Sequence, residues 1–220
     1  MSYQRKTCLD SGVLKTGGLL LAVILHNLIY PLSTGKGIGP VVFYCVYASM
    51  FVVATWLLTD STGLRISATG SGLAVLLSGL VNAFAPTAAT GMAVYVTSMV
   101  YHGVIIIVLA RYTFMAHDVF TDVILAATSL YLIIGSSFAA IFACIEALAP
   151  GSFVSASGMV LDWQQLLYFS YVTLTSLGYG DILPAGFYAQ AFAAFEAIVG
   201  VLYTVILLSR LVGMHTAARA

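Results

Sequence analysis

An all-α membrane protein is the fold class this sequence predicts, and three observations carry the prediction. The 220 residues are 61% hydrophobic and only 7% charged, whereas about a quarter of a soluble domain is charged. Nearly uncharged apolar bands recur at 17–33, 39–59, 68–86, 91–110, 121–147 and 187–212, each close to the roughly 20 residues that cross a bilayer core. Between the last two lies an interrupted stretch, 148–186, too polar in its middle to span. Six transmembrane helices are expected, with a short re-entrant helix and loop before the sixth.

The first band follows basic residues, as a secretory signal would. It is long, however, and no convincing small-residue cleavage site precedes Lys36, so a retained span is expected. Arg5, Lys6 and Lys15 precede it, Arg65 separates the second and third bands, Arg111 ends the fourth, and Arg210 and Arg219 close or follow the sixth. These fall on one face if the N-terminus is cytoplasmic, leaving only Lys36 outside. An even number of spans returns the C-terminus to the same side. The expectation is a multi-pass protein of a cell (plasma or inner) membrane with both termini cytoplasmic. Glu146, Asp162 and Asp181 then lie on the outer face, Glu146 as a capping or pairing group at the end of the fifth helix.

Two units are expected: four spans over 1–115, then a span, a re-entrant loop and a final span over 116–220. Turns are read at Ser33–Gly37 and Ala85-Pro86-Thr87, and Asp118 or Thr121 can cap the fifth helix. Ala68, Gly70, Ser71, Gly72, Ser78 and Gly79 make the third span small-sided, which favours close helix contact in lipid. The polar residues His26, Asn27, Asn82 and His102 form either a site or helix–helix hydrogen bonds. Cys8, Cys45 and Cys144 are odd in number and suggest neither a disulfide framework nor metal spacing. Net charge is zero with no basic block, so nucleic acid is not an indicated partner. No soluble partner is evident; lipid is.

In the interrupted stretch, Asp162 can cap a short helix over 163–174, roughly 18 Å long, which enters a membrane without crossing it. Its C-terminus meets Thr175-Ser176-Leu177-Gly178-Tyr179-Gly180-Asp181. Irregular backbone at membrane depth is tolerable only when buried in protein or lining water. A helix C-terminus carries partial negative charge, which favours a cation. Gly178 and Gly180 can adopt backbone angles other residues avoid.

This motif, between two long apolar runs, resembles the pore loop of the tetrameric potassium-channel family: six-transmembrane, one pore loop per subunit, prokaryotic in type. It differs from the family signature mainly by Ser for Thr and Leu for Val, and the resemblance covers about 140–213. It implies a selectivity filter in which backbone carbonyls of Ser176, Leu177, Gly178 and Tyr179, plus the Ser176 hydroxyl as innermost ligand, replace the water shell of K⁺. Leu177 and Tyr179 side chains would brace it from behind. Thr175, Gly180 and Asp181 would shape its surroundings, and Trp163, Tyr168 and Phe169 would support it, the last two as an aromatic cuff for Tyr179. One loop supplies one wall, so a homotetramer is implied. K⁺ in the filter is the only ion or cofactor implied, and no enzymatic activity is.

The resemblance also places Gly200 at the hinge of the inner helix, though a close-packing glycine reads the same way. Glu196, a carboxylate in an apolar helix, is expensive unless paired or wet. It is expected against the back of the re-entrant helix or a neighbouring subunit, bonded to a hydroxyl such as Thr173 or Ser170, with a gating or a structural role. The fourth span, Gly91 to Ala110, has no Lys or Arg, and Arg111 stands alone at its end, so steep voltage dependence is not expected. Eight residues follow Val212, and no attached ligand-binding domain is expected. The stimulus is left open among protons, lipid, tension and none. A non-selective cation channel is the nearest alternative. A secondary transporter would want paired broken helices, and an intramembrane enzyme would want a spacing such as His-Glu-x-x-His; neither is visible.

Overall fold

The computed structural model describes residues 2–29, 38–116 and 121–217, with side chains over 12–28, 38–116 and 121–210. Lys36, Asp118 and the Ser33–Gly37 turn lie outside the described residues. In order, the chain forms α1 (Ser2–Ile29), α2 (Ile38–Leu58), α3 (Thr62–Phe84), α4 (Ala88–Phe114), α5 (Thr121–Leu148), β1 (Phe153–Ser155), α6 (Trp163–Leu174), β2 (Ile182–Pro184) and α7 (Phe187–Ala217). Among the described residues five helices are long and apolar enough to cross a membrane: α2, α3, α4, α5 and α7. Of α1, the stretch with described side chains, Gly12–Leu28, is apolar as well. This helix starts far upstream of the expected band, because its polar first half continues the same helical path.

Local chemistry sets the turns. Pro86 cannot continue α3, and α4 restarts one residue later with Thr87 and Thr90 capping each other's backbone N–H. Arg65 closes the α2–α3 turn by pairing with Asp60 at 3.0 Å, donating to the Trp56 carbonyl and lying over its ring. At the end of α5, Glu146 accepts hydrogen bonds from the N–H groups of Gly151 and Phe153 at 2.8 and 2.9 Å, the capping role expected of it.

The two expected units share one hydrophobic core. Leu19 and Val23 of α1, Phe43 and Phe51 of α2, Val75 of α3, Tyr101 and Ile105 of α4, Leu130 and Ile133 of α5, and Tyr203 of α7 belong to the same buried cluster. α5 is the hub: it packs on α1, α4, α6 and α7. Gly79 lets α3 approach the Tyr44 ring so closely that a Cβ there would sit 2.4 Å from it, as the small-residue pattern of that span implied. A second cluster (Phe138, Phe142, Phe153, Leu166, Phe169, Ile182, Ala189, Ala193) surrounds α6. Toward the C-terminal end of α7, the Arg210 guanidinium donates to the carbonyls of Thr113 and Ala116, pinning α7 to the end of α4.

The helical fold carries one element not anticipated. β1 and β2 pair antiparallel, Val154 opposite Leu183. Strands of three residues have no readable alternation, so the sequence reads there as loop. The ribbon joins the segment after α5 to the segment after the Gly-Tyr-Gly motif.

Candidate functional site

The site is built on α6, a 12-residue helix held between α5 and α7. Its first turn is fixed by the Gln165 side chain, which accepts from the Asp162 N–H at 2.6 Å. Two glycines let the neighbours close on it. A Cβ on Gly135 of α5 would lie 2.6 Å from the Tyr171 ring, and one on Gly200 of α7 would lie 2.0 Å from the Leu174 carbonyl oxygen. Gly200 thus has a packing reason for being glycine where α7 crosses the C-terminus of α6.

The back of α6 is tied down by hydroxyls. Tyr171 lies within 2.9 Å of Asn27 Oδ1, the Leu132 carbonyl and Ser136 Oγ, joining α1, α5 and α6. The Tyr131 hydroxyl donates to the Leu174 carbonyl at 3.1 Å. Ser170 Oγ lies 2.6 Å from the Gly135 carbonyl and 2.5 Å from Glu196 Oε1. Glu196 is fully buried, and its Oε2 has no partner among the described residues. Of the two hydroxyls expected for it, Ser170 is the one it meets. The tyrosine contacts were missed by sequence reasoning. The available signal was that a tyrosine on an apolar helix needs a partner for its O–H, but the partner is set by tertiary packing.

The helix ends in a Schellman motif: Ser176 N–H donates to Thr173 O and Leu177 N–H to Val172 O, both at 2.9 Å. Ser176 occupies the left-handed position with φ 56°, where glycine is usual. Gly178 and Gly180 follow at φ 60° and 77°, whereas Leu177 and Tyr179 are not left-handed. The sign of φ therefore alternates from Ser176 to Gly180. Every residue from Thr175 to Asp181 is exposed in the single chain, with Leu177 at 55% and Tyr179 at 66%.

Beyond the motif, Asp181 is held from three sides. The Tyr168 hydroxyl donates to its Oδ2 at 2.8 Å, the Ile182 N–H to its Oδ1 at 3.1 Å, and the Ala156 N–H to its carbonyl at 2.8 Å. The hydrogen bond to Asp181 keeps the Tyr168 hydroxyl above the usual tyrosine range. Tyr168 and Tyr179 share a cleft with Leu177, Tyr171 and Asn27. Phe169, next in sequence, turns the other way, 5.3 Å from the rings of both Phe142 and Phe153. Trp163 also stands apart from the motif, its ring 5.8 Å from that of Phe43 on α2.

This is a multi-pass membrane protein with a short helix packed against two long ones, ending in exposed left-handed backbone. Residues 119–216 match the family model described as "Ion channel". A stretch of 82 residues, 37% of this chain, is 38% identical to the two pore potassium channel c of Oryza sativa subsp. japonica. The chain spans 16% of that relative's length. No solved structure matches. Residues 119–216 are thus similar to an ion-channel domain, and the likeness to a potassium channel rests on 82 residues of this chain.

Proposed function

We propose that the chain is one subunit of a homotetrameric potassium-selective channel that conducts passively across a cell membrane, with both termini cytoplasmic and without steep voltage gating. The carrying observation is the alternation of φ from Ser176 to Gly180 directly after a helix C-terminus. Alternating left- and right-handed residues is the backbone condition under which successive N–H groups turn to one side. Their carbonyls then turn to the other. Four such strands around a four-fold axis supply the rings of oxygen that replace the hydration shell of K⁺. The ligands in this reading are the carbonyls of Ser176, Leu177, Gly178 and Tyr179 and the Ser176 hydroxyl. Four α6 C-termini add partial negative charge behind them.

The exposure of Leu177, Tyr179 and the α7 face of Phe195, Ile198, Leu202 and Val205 fits neighbouring subunits and lipid covering them. Large apolar side chains exposed along one helix face are what such an interface, or lipid, would cover. Glu196 acts through Ser170 as a positioning residue for α6, and Gly200 allows both the close crossing and any bending of α7 at the gate. Residues 1–115 form the peripheral unit and 116–220 the pore unit of this reading.

The purified chain in liposomes tests it. Potassium efflux exceeding sodium efflux, abolished or made non-selective by Tyr179→Ala, is the expected result, with a tetrameric mass in detergent by native mass spectrometry. Equal K⁺ and Na⁺ flux supports a non-selective cation channel instead. Flux that saturates or requires a coupled ion supports a transporter.

A further inference from the structure

A second site lies away from the motif. A partly open cavity of about 100 Å³ sits where helices α1 to α5 meet the first turn of α6. Its lining includes His26, Tyr47, Tyr95, His102, Ser136 and Trp163, with no Asp, Glu, Lys or Arg. The walls are mostly flat rings. His26 stacks against Phe43 and Tyr47 with centroids at 4.8 Å in both pairs, and the Tyr47 hydroxyl contacts the His102 ring at 3.3 Å. His26 is 8% exposed, and its Nδ1 has no hydrogen-bond partner among the described residues. A buried ring nitrogen left unpaired is costly, so a ligand that offers it a partner is favoured there.

The absence of charge in the lining disfavours an ionic ligand, because a charge taken from water would find no counter-ion. Aromatic walls favour a ring in offset or edge contact, and the volume of about 100 Å³, below the roughly 150 Å³ of an enclosed apolar cavity that holds benzene, admits no more than one small ring, seated in part through the open side. We propose that this cavity binds a small neutral phenol-class molecule, one aromatic ring carrying one hydroxyl. Seated there, it touches the peripheral helices and α6 together. Binding stands independently of the conduction reading; any effect on flux rests on it.

Of the two tryptophans, Trp163 lines the cavity, while Trp56 is half-exposed on α2 beside Thr69. In a Trp56→Phe background, the reconstituted full chain reports from Trp163 alone. Titration with 4-bromophenol, a heavy-atom quencher, is expected to give saturable loss of Trp163 emission, competed by phenol and not by 4-bromobenzoate. Ala140 of α5 also lines the cavity, and Ala140→Leu, which fills it, is expected to weaken the apparent affinity about tenfold or more. His26→Phe keeps the ring and removes the nitrogen. It is expected to weaken 4-bromophenol about tenfold, the loss of roughly one hydrogen bond, while leaving bromobenzene unchanged. Circular dichroism checks that each variant folds, and either one suffices. Quenching that rises linearly with probe, as for partition into lipid or a cavity that holds only water, overturns the proposal. Saturation unchanged in every folded variant overturns it too.

Discussion

Ser176 carries two opposed demands. As the left-handed residue closing α6 it is strained by about 1–2 kcal/mol relative to glycine, while its hydroxyl is the innermost ligand of the proposed filter. Ser176→Gly should therefore raise the thermal stability of the assembled protein by about 1 kcal/mol and lower K⁺ over Na⁺ selectivity, read by melting in detergent and by flux. Glu196 makes a second case. Ser170 has one hydroxyl hydrogen for two oxygens, Gly135 O and Glu196 Oε1, and a side chain at 196 that can donate satisfies both contacts. Glu196→Gln keeps shape and offers an N–H to Ser170 Oγ and should cost under about 1 kcal/mol, whereas Glu196→Ala should cost about 2–5 kcal/mol through cavity and lost bond; chemical unfolding separates them. Tyr168 gives a pH dependence. Its hydroxyl is raised by the bond to Asp181, so that bond contributes fully below the ordinary tyrosine range and is lost as pH climbs through the raised value. The wild-type protein should thus lose stability at strongly alkaline pH, and Tyr168→Phe should remove that component of the profile. An identical alkaline profile in the variant would contradict the assignment.

At the scale of elements, the decisive packing is α6 between Gly135 and Gly200. The two sites differ in what an added methyl meets: a ring at Gly135, which can tilt, and a backbone carbonyl at Gly200, which cannot without moving α6. Gly200→Ala should cost the larger share of about 1–3 kcal/mol and lower tetramer yield, with Gly135→Ala milder, measured by size-exclusion profile and melting. Were Gly200 a hinge alone, Ala would alter opening while leaving assembly intact. The elements differ in how readable they were. α2 to α5 and α7 announce themselves by hydropathy, and α6 by its cap and the motif after it. The start of α1 is hidden because its first half is polar, and the β1–β2 ribbon because three residues carry no period. Within α6, Tyr168 and Phe169 are neighbours on opposite faces; which of them meets the Gly-Tyr-Gly side depends on the rotation of the helix against α5, and sequence does not set that rotation.

For the whole molecule, composition placed the chain in the bilayer and the motif placed it among channels, since both signals are local. The shared core was not legible, because contacts such as Tyr171 with Asn27, or Phe43 with Trp163, join residues more than a hundred positions apart. They make the peripheral helices part of the scaffold behind α6 rather than a detachable unit. The central claim is that four strands of backbone carbonyl select K⁺. Its most direct test is the reversal potential of the purified protein in a planar bilayer as K⁺ on one side is varied against Na⁺. The account predicts a shift approaching about 59 mV per tenfold change in K⁺, the Nernst slope for a single charge; a potential that stays near zero while current flows would contradict it.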